Sequence, residues 1–509
     1  MRYYIGLDNG GTMTKAALYT HTGKEVGVES VQTRAFLPHP GWVERDMTEM
    51  RDANFDVLRG LLQKTGMDPA DIAGIACCGH GKGLYLWGKD GKPVRPGIIS
   101  TDYRALEYPQ RWEKDGTAEK VYSRTFQKIL ACQAVSLLSW LKDHEPDCID
   151  NIQWIFECKD YVRFCLTGEP RAELTDYSGA NLVNLTTRDY DAELMALFGH
   201  EDLMNTLPPL CRSTDICGYV TAEAAARTGL KEGTPVAGGM FDIDACALAV
   251  GVTDESSVCM IAGTWSINEY IRKTPVTDGS VMMNSLFCLP EYYLIEECST
   301  TSAANNEWFI RTLLPELAEQ AKAEGRSIFD VTNEWVASVP PEAFCPVFLP
   351  FIVGTNVHPN AKAAFVGMQA YHARAHLVRS VYEGIAFSHK QHLDKLVAGR
   401  TEPVRRIRLA GGVARSKEWV QIFADVMGYP VELVDVNETG AFGCAMNVAV
   451  AVGDYADMAE AANKMISLRS AVLPDEGRHA LYARKYAMYR KVIDALDGVW
   501  EDMQQLADQ

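Results

Sequence analysis

Ile5-Gly6-Leu7-Asp8-Asn9-Gly10-Gly11-Thr12-Met13-Thr14-Lys15-Ala16-Ala17-Leu18 decides how the rest of the chain is read. It predicts an apolar strand, a glycine turn and a returning strand. Two consecutive glycines let the backbone approach a bulky anion, and Thr12 and Thr14 can donate hydrogen bonds to phosphate oxygens. Asp8 falls at the strand end, where a carboxylate can hold a magnesium ion. An ordinary hairpin with an incidental acid would look the same in isolation. A second unit of like design tips the balance: Val258-Cys259-Met260-Ile261-Ala262-Gly263-Thr264-Trp265-Ser266-Ile267-Asn268 again gives strand, Gly-Thr turn and return strand.

Each hairpin is followed, after a long stretch, by a strand ending in glycine. These are Ile72-Ala73-Gly74-Ile75-Ala76-Cys77-Cys78-Gly79-His80-Gly81 and Ile407-Arg408-Leu409-Ala410-Gly411-Gly412. Two βα halves of this kind, facing each other, would set two glycine turns across one cleft and could clamp a triphosphate. Helices are well marked between the strands. Met47, Met50, Val57, Leu58, Leu61 and Leu62 repeat at helical spacing before Gly66, a C-cap. His376 to Leu396 carries Leu377, Val381, Ile385, His389 and Leu393 on one face. Ser416 can N-cap a helix with Trp419, Val420, Phe423 and Val426 that stops at Gly428 and Pro430, ahead of a strand Val431 to Val434. Leu481, Tyr482, Tyr486, Tyr489, Ile493 and Leu496 mark a final amphipathic helix. The alternation predicts an α/β protein with a boundary near Gly233 to Ala249, hence domains 1–245 and 246–509.

Composition narrows the function classes. A chain of 509 residues exceeds one typical core. The net charge of −18 argues against nucleic acid and anionic membrane as partners, though not against ATP, whose charge magnesium and local amides offset. No apolar run approaches the ~18 residues of a spanning helix, and the start lacks a signal peptide's apolar core. A cytoplasmic protein is expected. The 14 cysteines are scattered without metal-ligand spacing, as reduced core thiols are.

Several side chains could carry chemistry. Pro235-Val236-Ala237-Gly238-Gly239-Met240-Phe241-Asp242 is an apolar strand opening on two glycines and then an acid. Asp242 could accept a hydroxyl proton during phosphoryl transfer, or simply N-cap the helix beginning near Ala245. Gly79-His80-Gly81-Lys82-Gly83 lacks the spacing of a Walker loop and reads better as a polyol-binding loop with His80 as hydrogen-bond partner. His372 and His376 have the spacing of a helical zinc pair, but the intervening glutamate and a third ligand are missing.

With Asp8, Asp242, Thr264 and the Gly411–Gly412 turn in view, the chain resembles the FGGY family of carbohydrate kinases over nearly its whole length. Ala363-Ala364-Phe365-Val366-Gly367-Met368, then seven residues, then His376-Leu377-Val378-Arg379-Ser380-Val381-Tyr382-Glu383 meets every constrained position of the family's C-terminal signature. The N-terminal signature matches at Trp140-Leu141-Lys142-Asp143-His144 but has Leu137 where lysine is usual. Pro40-Gly41-Trp42-Val43-Glu44-Arg45-Asp46-Met47, Gly81-Lys82-Gly83-Leu84 and Gly367-Met368-Gln369-Ala370 are similar to the L-xylulose kinase branch, in which glutamine often stands at the place of His80.

The resemblance implies two actin-like ATPase (RNase H-like) domains around an ATP cleft. The N-terminal one would bind sugar and phosphate, and the C-terminal one adenosine. It implies ATP-dependent transfer of phosphate to the terminal primary hydroxyl of a ketopentose, L-xylulose giving the 5-phosphate. Alternatives are D-xylulose, another ketose or polyol, or a keto-sugar acid such as 3-keto-L-gulonate; outside catalysis, the alternative is an actin-like ATP switch or sugar sensor. By position, Asp242 is the catalytic base and a substrate contact. Asp8 holds Mg2+ through water. Gly11, Thr12, Thr14, Lys15, Gly263, Thr264, Gly411, Gly412, Ala414 and Ser416 serve ATP. Gly79, His80 and Asp102 serve the sugar, Asp102 as a contact or as a structural acid. Homodimers are frequent in the family.

Overall fold

The Gly10-Gly11-Thr12 stretch is the turn of a hairpin: β1 (Tyr3–Asn9) and β2 (Met13–Thr20) pair antiparallel, with Asn9 opposite Thr14. The computed structural model describes residues 2–507, which fall into two units. Unit 1 holds the residues up to Thr253 with Ile271–Ile295 and Val436–Ile466; unit 2 holds Asp254–Tyr270, Glu296–Asp435 and the residues from Ser467 onward. Chain order and packing unit part company at the helix Thr439–Ala451, which follows unit 2 strands in sequence but packs on β1 in unit 1.

In unit 1, β3 (Glu25–Gln32) pairs with β2, and β4 (Ile72–Gly79) runs parallel to β1 with Gly79 opposite Asn9. Beyond β4 lie β5 (Ile216–Tyr219), β6 (Pro235–Ala237) and β7 (Met240–Phe241). The order is β5-β6-β4-β1-β2-β3; β7 also pairs parallel with β4, Phe241 opposite Gly79. Strands β1 and β4 are near-continuous apolar runs because both faces of a parallel sheet are covered. Ile5, Leu7, Ile75 and Cys77 share a core with Met47, Met50, Val57, Leu58 and Leu61 of the helix Met47–Thr65. That helix starts at Asp46, which accepts from Glu49 N (2.8 Å), and ends at Gly66 in the left-handed region, the C-cap that the sequence marks.

The other face carries Gly6, where a Cβ would lie 1.8 Å from Ala441 O. Only glycine lets the Thr439–Ala451 helix lie backbone to backbone on β1.

In unit 2 the strands are β8 (Ser257–Ala262), β9 (Ser266–Arg272, through Tyr270), β10 (Tyr293–Ser299, from Glu296), β11 (Arg406–Gly411), β12 (Val431–Val434) and β13 (Leu468–Val472). Their order, β13-β12-β11-β8-β9-β10, repeats that of unit 1. A hairpin (Ala262 opposite Ser266) has a parallel strand beside its first arm (Ala262 opposite Gly411), then a second parallel strand and an antiparallel edge. Both units thus have the RNase H-like topology of actin-type ATPases. The Lys417–Met427 helix is capped by Ser416 and Gly428 as predicted. The helix expected from His376 begins at Arg374, and the final amphipathic helix spans Glu476–Leu496. All 14 cysteines are free thiols.

Candidate active site

Strands β1, β4 and β7 end side by side in unit 1, so Asp8, His80 and Asp242 meet at one edge of the sheet. The carboxyl edge of parallel strands is where open α/β sheets take ligands. His80 N donates to Asn9 O (3.0 Å), joining two of the strand ends. Asp242 is the first residue of the helix Asp242–Ala249, and Phe241 holds the cap position, so Asp242 is not the N-cap. Burial pushes its carboxyl well above the usual carboxylate range; Asp8 and Asp176 add repulsion, and Lys82 opposes them. Asp8 is raised to about 6, again chiefly by burial, with Lys15 pulling the other way.

The cover over Asp8 comes from a segment that the sequence reading passes over, Glu438-Thr439-Gly440-Ala441-Phe442-Gly443-Cys444. A Cβ on Gly440 would lie 2.6 Å from Asp8 Oδ2, and one on Gly443 2.2 Å from Ala245 O. Glu438 pairs with Lys15 (2.7 Å). Lys15, expected to serve ATP, is therefore engaged in an ion pair beside Asp8. The signal for this helix was present as small residues three and four apart, but its destination in unit 1 was not.

The glycine turn is held from beneath. Arg45, buried, donates through Nη2 to Gly11 O (2.7 Å) and Thr33 Oγ1 (3.0 Å), taking up a turn carbonyl. Gly11 and Thr12 are exposed. Thr14 is not: strand alternation turns it inward, where it is fully buried and donates to Asn9 Oδ1 (3.4 Å). Asn54 Nδ2 donates to the same oxygen (2.7 Å) and ties the long helix to the end of β1.

In the loop 79–83, His80 is buried with Nε2 2.8 Å from Tyr85 Oη, and burial lowers it to about 3, so the ring is neutral. Lys82 follows in the left-handed region (φ 66°), its ammonium 5.1 Å from the Phe241 ring centroid. Asp102 is engaged locally: its oxygens accept from Val43 N (2.6 Å), Arg104 N (2.9 Å) and Arg104 Nη2 (2.8 Å), and Arg104 stacks on Trp42 at 4.3 Å. This is the geometry of the structural acid.

Unit 2 brings its two glycine turns into contact. Gly411 has φ 91°, and a Cβ there would lie 2.5 Å from Ala262 O and 3.0 Å from Gly263 N. Gly263 O accepts from Ala303 N (2.8 Å), and Thr264 and Gly412 are exposed beside them. Ala414 O accepts from Arg469 (2.6 Å). Ser416, expected both to cap the helix and to serve ATP, accepts from Trp419 N (3.1 Å) as that cap and donates to Asn333 (2.7 Å). Behind the turn a buried polar set locks the base of the hairpin. Asn268 Nδ2 donates to His392 Nδ1 (2.8 Å), His389 Nδ1 donates to Asn268 Oδ1 (2.7 Å), and Ser302 Oγ donates to His389 Nε2 (3.1 Å). Burial lowers both imidazoles and keeps them neutral.

His372 and His376 act as caps, accepting through Nδ1 from Gln369 N (2.9 Å) and Ala373 N (3.2 Å). Among the described residues no group of three or more His, Cys, Asp or Glu could hold a metal ion. That suits Mg2+ delivered with phosphates, which needs only one or two protein carboxylates. Asp8, at the end of β1, is a single carboxylate that would fit such a role.

Residues 3–249 match the N-terminal domain, and residues 258–452 the C-terminal domain, of the FGGY family of carbohydrate kinases. The chain is 39% identical to the L-xylulose/3-keto-L-gulonate kinase of Escherichia coli K12, over 98% of each protein. It is 36% identical to a probable L-xylulose kinase of Pasteurella multocida, over 97% of this chain and 99% of that one. A ligand-bound xylulose kinase structure from Lactobacillus acidophilus superposes with TM-score 0.89 over 99% of this chain and 100% of that chain, at 23% identity, a likeness of fold. The chain belongs to the FGGY family and is a carbohydrate kinase.

Proposed function

We propose that this sugar phosphotransferase moves the γ-phosphoryl group of ATP to the terminal primary hydroxyl of a ketopentose, L-xylulose first, giving the 5-phosphate. The observation that carries the reading is the meeting of Asp8, His80 and Asp242 at the ends of three adjacent parallel strands. The substrate names come from the relatives with 39% and 36% identity.

Asp242 hydrogen-bonds the sugar hydroxyl and takes its proton as the new P–O bond forms and the bond to ADP breaks. A carboxylate whose charge is disfavoured by burial is suited to accept that proton. The transition state is loose, so orientation and charge neutralisation carry most of the acceleration. Within unit 1, Gly11 and Thr12 serve the phosphates; within unit 2, Gly263 and Thr264 form a turn of like design that also serves ATP. Gly411, Gly412 and Ala414 border the adenosine. Gly79 and His80 receive the sugar, and Asp102 positions Arg104 and the Trp42 loop behind them. Mg2+, when bound, neutralises phosphate charge, and Asp8 would hold it through water. In chain order, 1–245 handles sugar and phosphate and 246–509 adenosine. The family pattern adds a cytoplasmic enzyme, a homodimer, and no nucleic-acid partner.

A second reading, a keto-sugar acid as substrate, is favoured by Lys82 in the sugar loop. ADP release over a panel of neutral ketoses, polyols and sugar acids, with phosphorus NMR of the product, separates the two. Turnover restricted to acids, or phosphate found away from the terminal carbon, would overturn the ketopentose assignment.

A further inference from the structure

Glu157 stands at the cap position of the helix Cys158–Thr167 but makes no capping hydrogen bond. It is 1% exposed, and neither carboxyl oxygen has a hydrogen-bond partner among the described residues. Asp176, equally buried, gives Oδ2 to Lys159 Nζ (3.1 Å) and leaves Oδ1 without a partner. The charges around them are satisfied. Lys159 also holds Asp160 (2.7 Å), Arg163 pairs with Asp160 (2.6 Å), and Glu173 accepts from Thr175 Oγ1 (2.7 Å) and Ser213 Oγ (2.8 Å). Thr175 Oγ1 in turn accepts from Phe241 N (2.9 Å), so that part of the cluster braces the strand presenting Asp242. A protein core seldom keeps orphaned acceptors, so the leftover oxygens ask for a ligand.

Their place supports one. A Cβ on Gly79 would touch Cys158 Sγ at 3.1 Å and Lys159 N at 3.3 Å, so the helix start beside Glu157 abuts the sugar loop. Asp176 and Lys82 are electrostatic neighbours of both Glu157 and Asp242.

We propose that Glu157 and Asp176 form the wall of the sugar site that reads hydroxyl groups, their three unpartnered oxygens accepting from adjacent hydroxyls of a neutral polyhydroxy ketone and turning away a carboxylate at that end. Each sugar hydroxyl brings a donor, whereas a carboxylate brings none and adds negative charge beside two acids. This rests on the ketopentose reading above and ranks neutral ketoses over sugar acids.

The test compares wild type, Glu157→Leu and Glu157→Gln in KM for L-xylulose, KM for ATP, the ratio of kcat/KM for a keto-sugar acid to that for the ketose, and Tm without ligands. For Glu157→Leu the ketose KM should rise about tenfold, as loss of one or two hydrogen bonds to a buried carboxyl does. The ATP KM should stay within about twofold, and the acid-to-ketose ratio should increase. Tm should hold or rise, because an orphaned buried carboxyl is replaced by an apolar group. An unchanged ketose KM, or a fall in Tm with both KM values unaltered, overturns the proposal. If Glu157→Leu does not fold, Glu157→Gln decides on the same KM comparison. Wild type that phosphorylates no ketopentose refutes the functional reading instead.

Discussion

The two units share one strand order and one turn design, yet differ where chemistry would sit. The residue before the last of β1 is Asp8, opposite Cys78 on β4; its counterpart in β8 is Ile261, opposite Ala410 on β11. Strand β7, which pairs with β4 in unit 1, delivers Asp242, and burial raises both acids. Unit 2 backs its turn with neutral imidazoles and amides. The lesson is that one design of hairpin and parallel neighbour recurs in both units while unit 1 sets acids at its strand ends, and on the function proposed above that difference makes unit 1 the reacting half.

The contrast breaks most sharply at Asp242. Asp242→Asn keeps the shape and removes the proton acceptor, so kcat should fall by about 10²–10⁴ with the ATP KM nearly unchanged. Steady-state kinetics decides, and near-normal turnover would remove the distinction between the units. Next comes the cover of Asp8. Gly440→Ala places a methyl 2.6 Å from Asp8 Oδ2 and 3.1 Å from Cys78 Sγ, so the Asp8 carboxyl must turn away or the helix must lift off β1. Overpacking of this kind costs about 1–3 kcal/mol, seen as a lower Tm with reduced kcat.

Thr264→Val tests the other unit. Loss of one hydroxyl donor to a charged phosphate is worth about 1.5–3 kcal/mol, so the ATP KM should rise by roughly ten- to a hundredfold while the sugar KM holds. A change confined to the sugar KM would misplace the turn.

The mildest effect is on pH. Asp8 must be ionised to serve a cation, and its carboxyl is raised from 3.8 to about 6. The kcat/KM for Mg·ATP should halve near pH 6, with the limb moving to lower pH as Mg2+ increases, because metal and proton compete. Stability of the ligand-free enzyme runs the opposite way. The folded state binds the extra proton between pH 3.8 and about 6, so this contribution is present at the acid end and is lost as pH rises through that window. A pH titration of unfolding checks the sign.

What the sequence disclosed follows the range of the interactions involved. Helix limits at Gly66, Ser416 and Gly428 were legible because capping is settled within four residues. The duplicated hairpins were legible because the glycines and flanking apolar runs recur. Thr14 lies on the face of β2 that also carries Ala16 and Leu18, and its cover is the helix Met47–Thr65, outside the local window in which a turn is read. Ser416 was legible as a helix cap, but its bond to Asn333, and those of Asp102 to Val43 and Arg104, depend on packing that spacing does not reveal. Glu157 carried no motif at all; its interest lies in bonds it does not make.

The helix over Asp8 also bears on synthesis. A ribosome that has released the first 435 residues has made every strand of both sheets except β13, but not the segment carrying Glu438 and Gly440. Until those emerge, Asp8 lacks the helix that covers it and Lys15 lacks its partner, so this corner of unit 1 is completed by residues made late in translation.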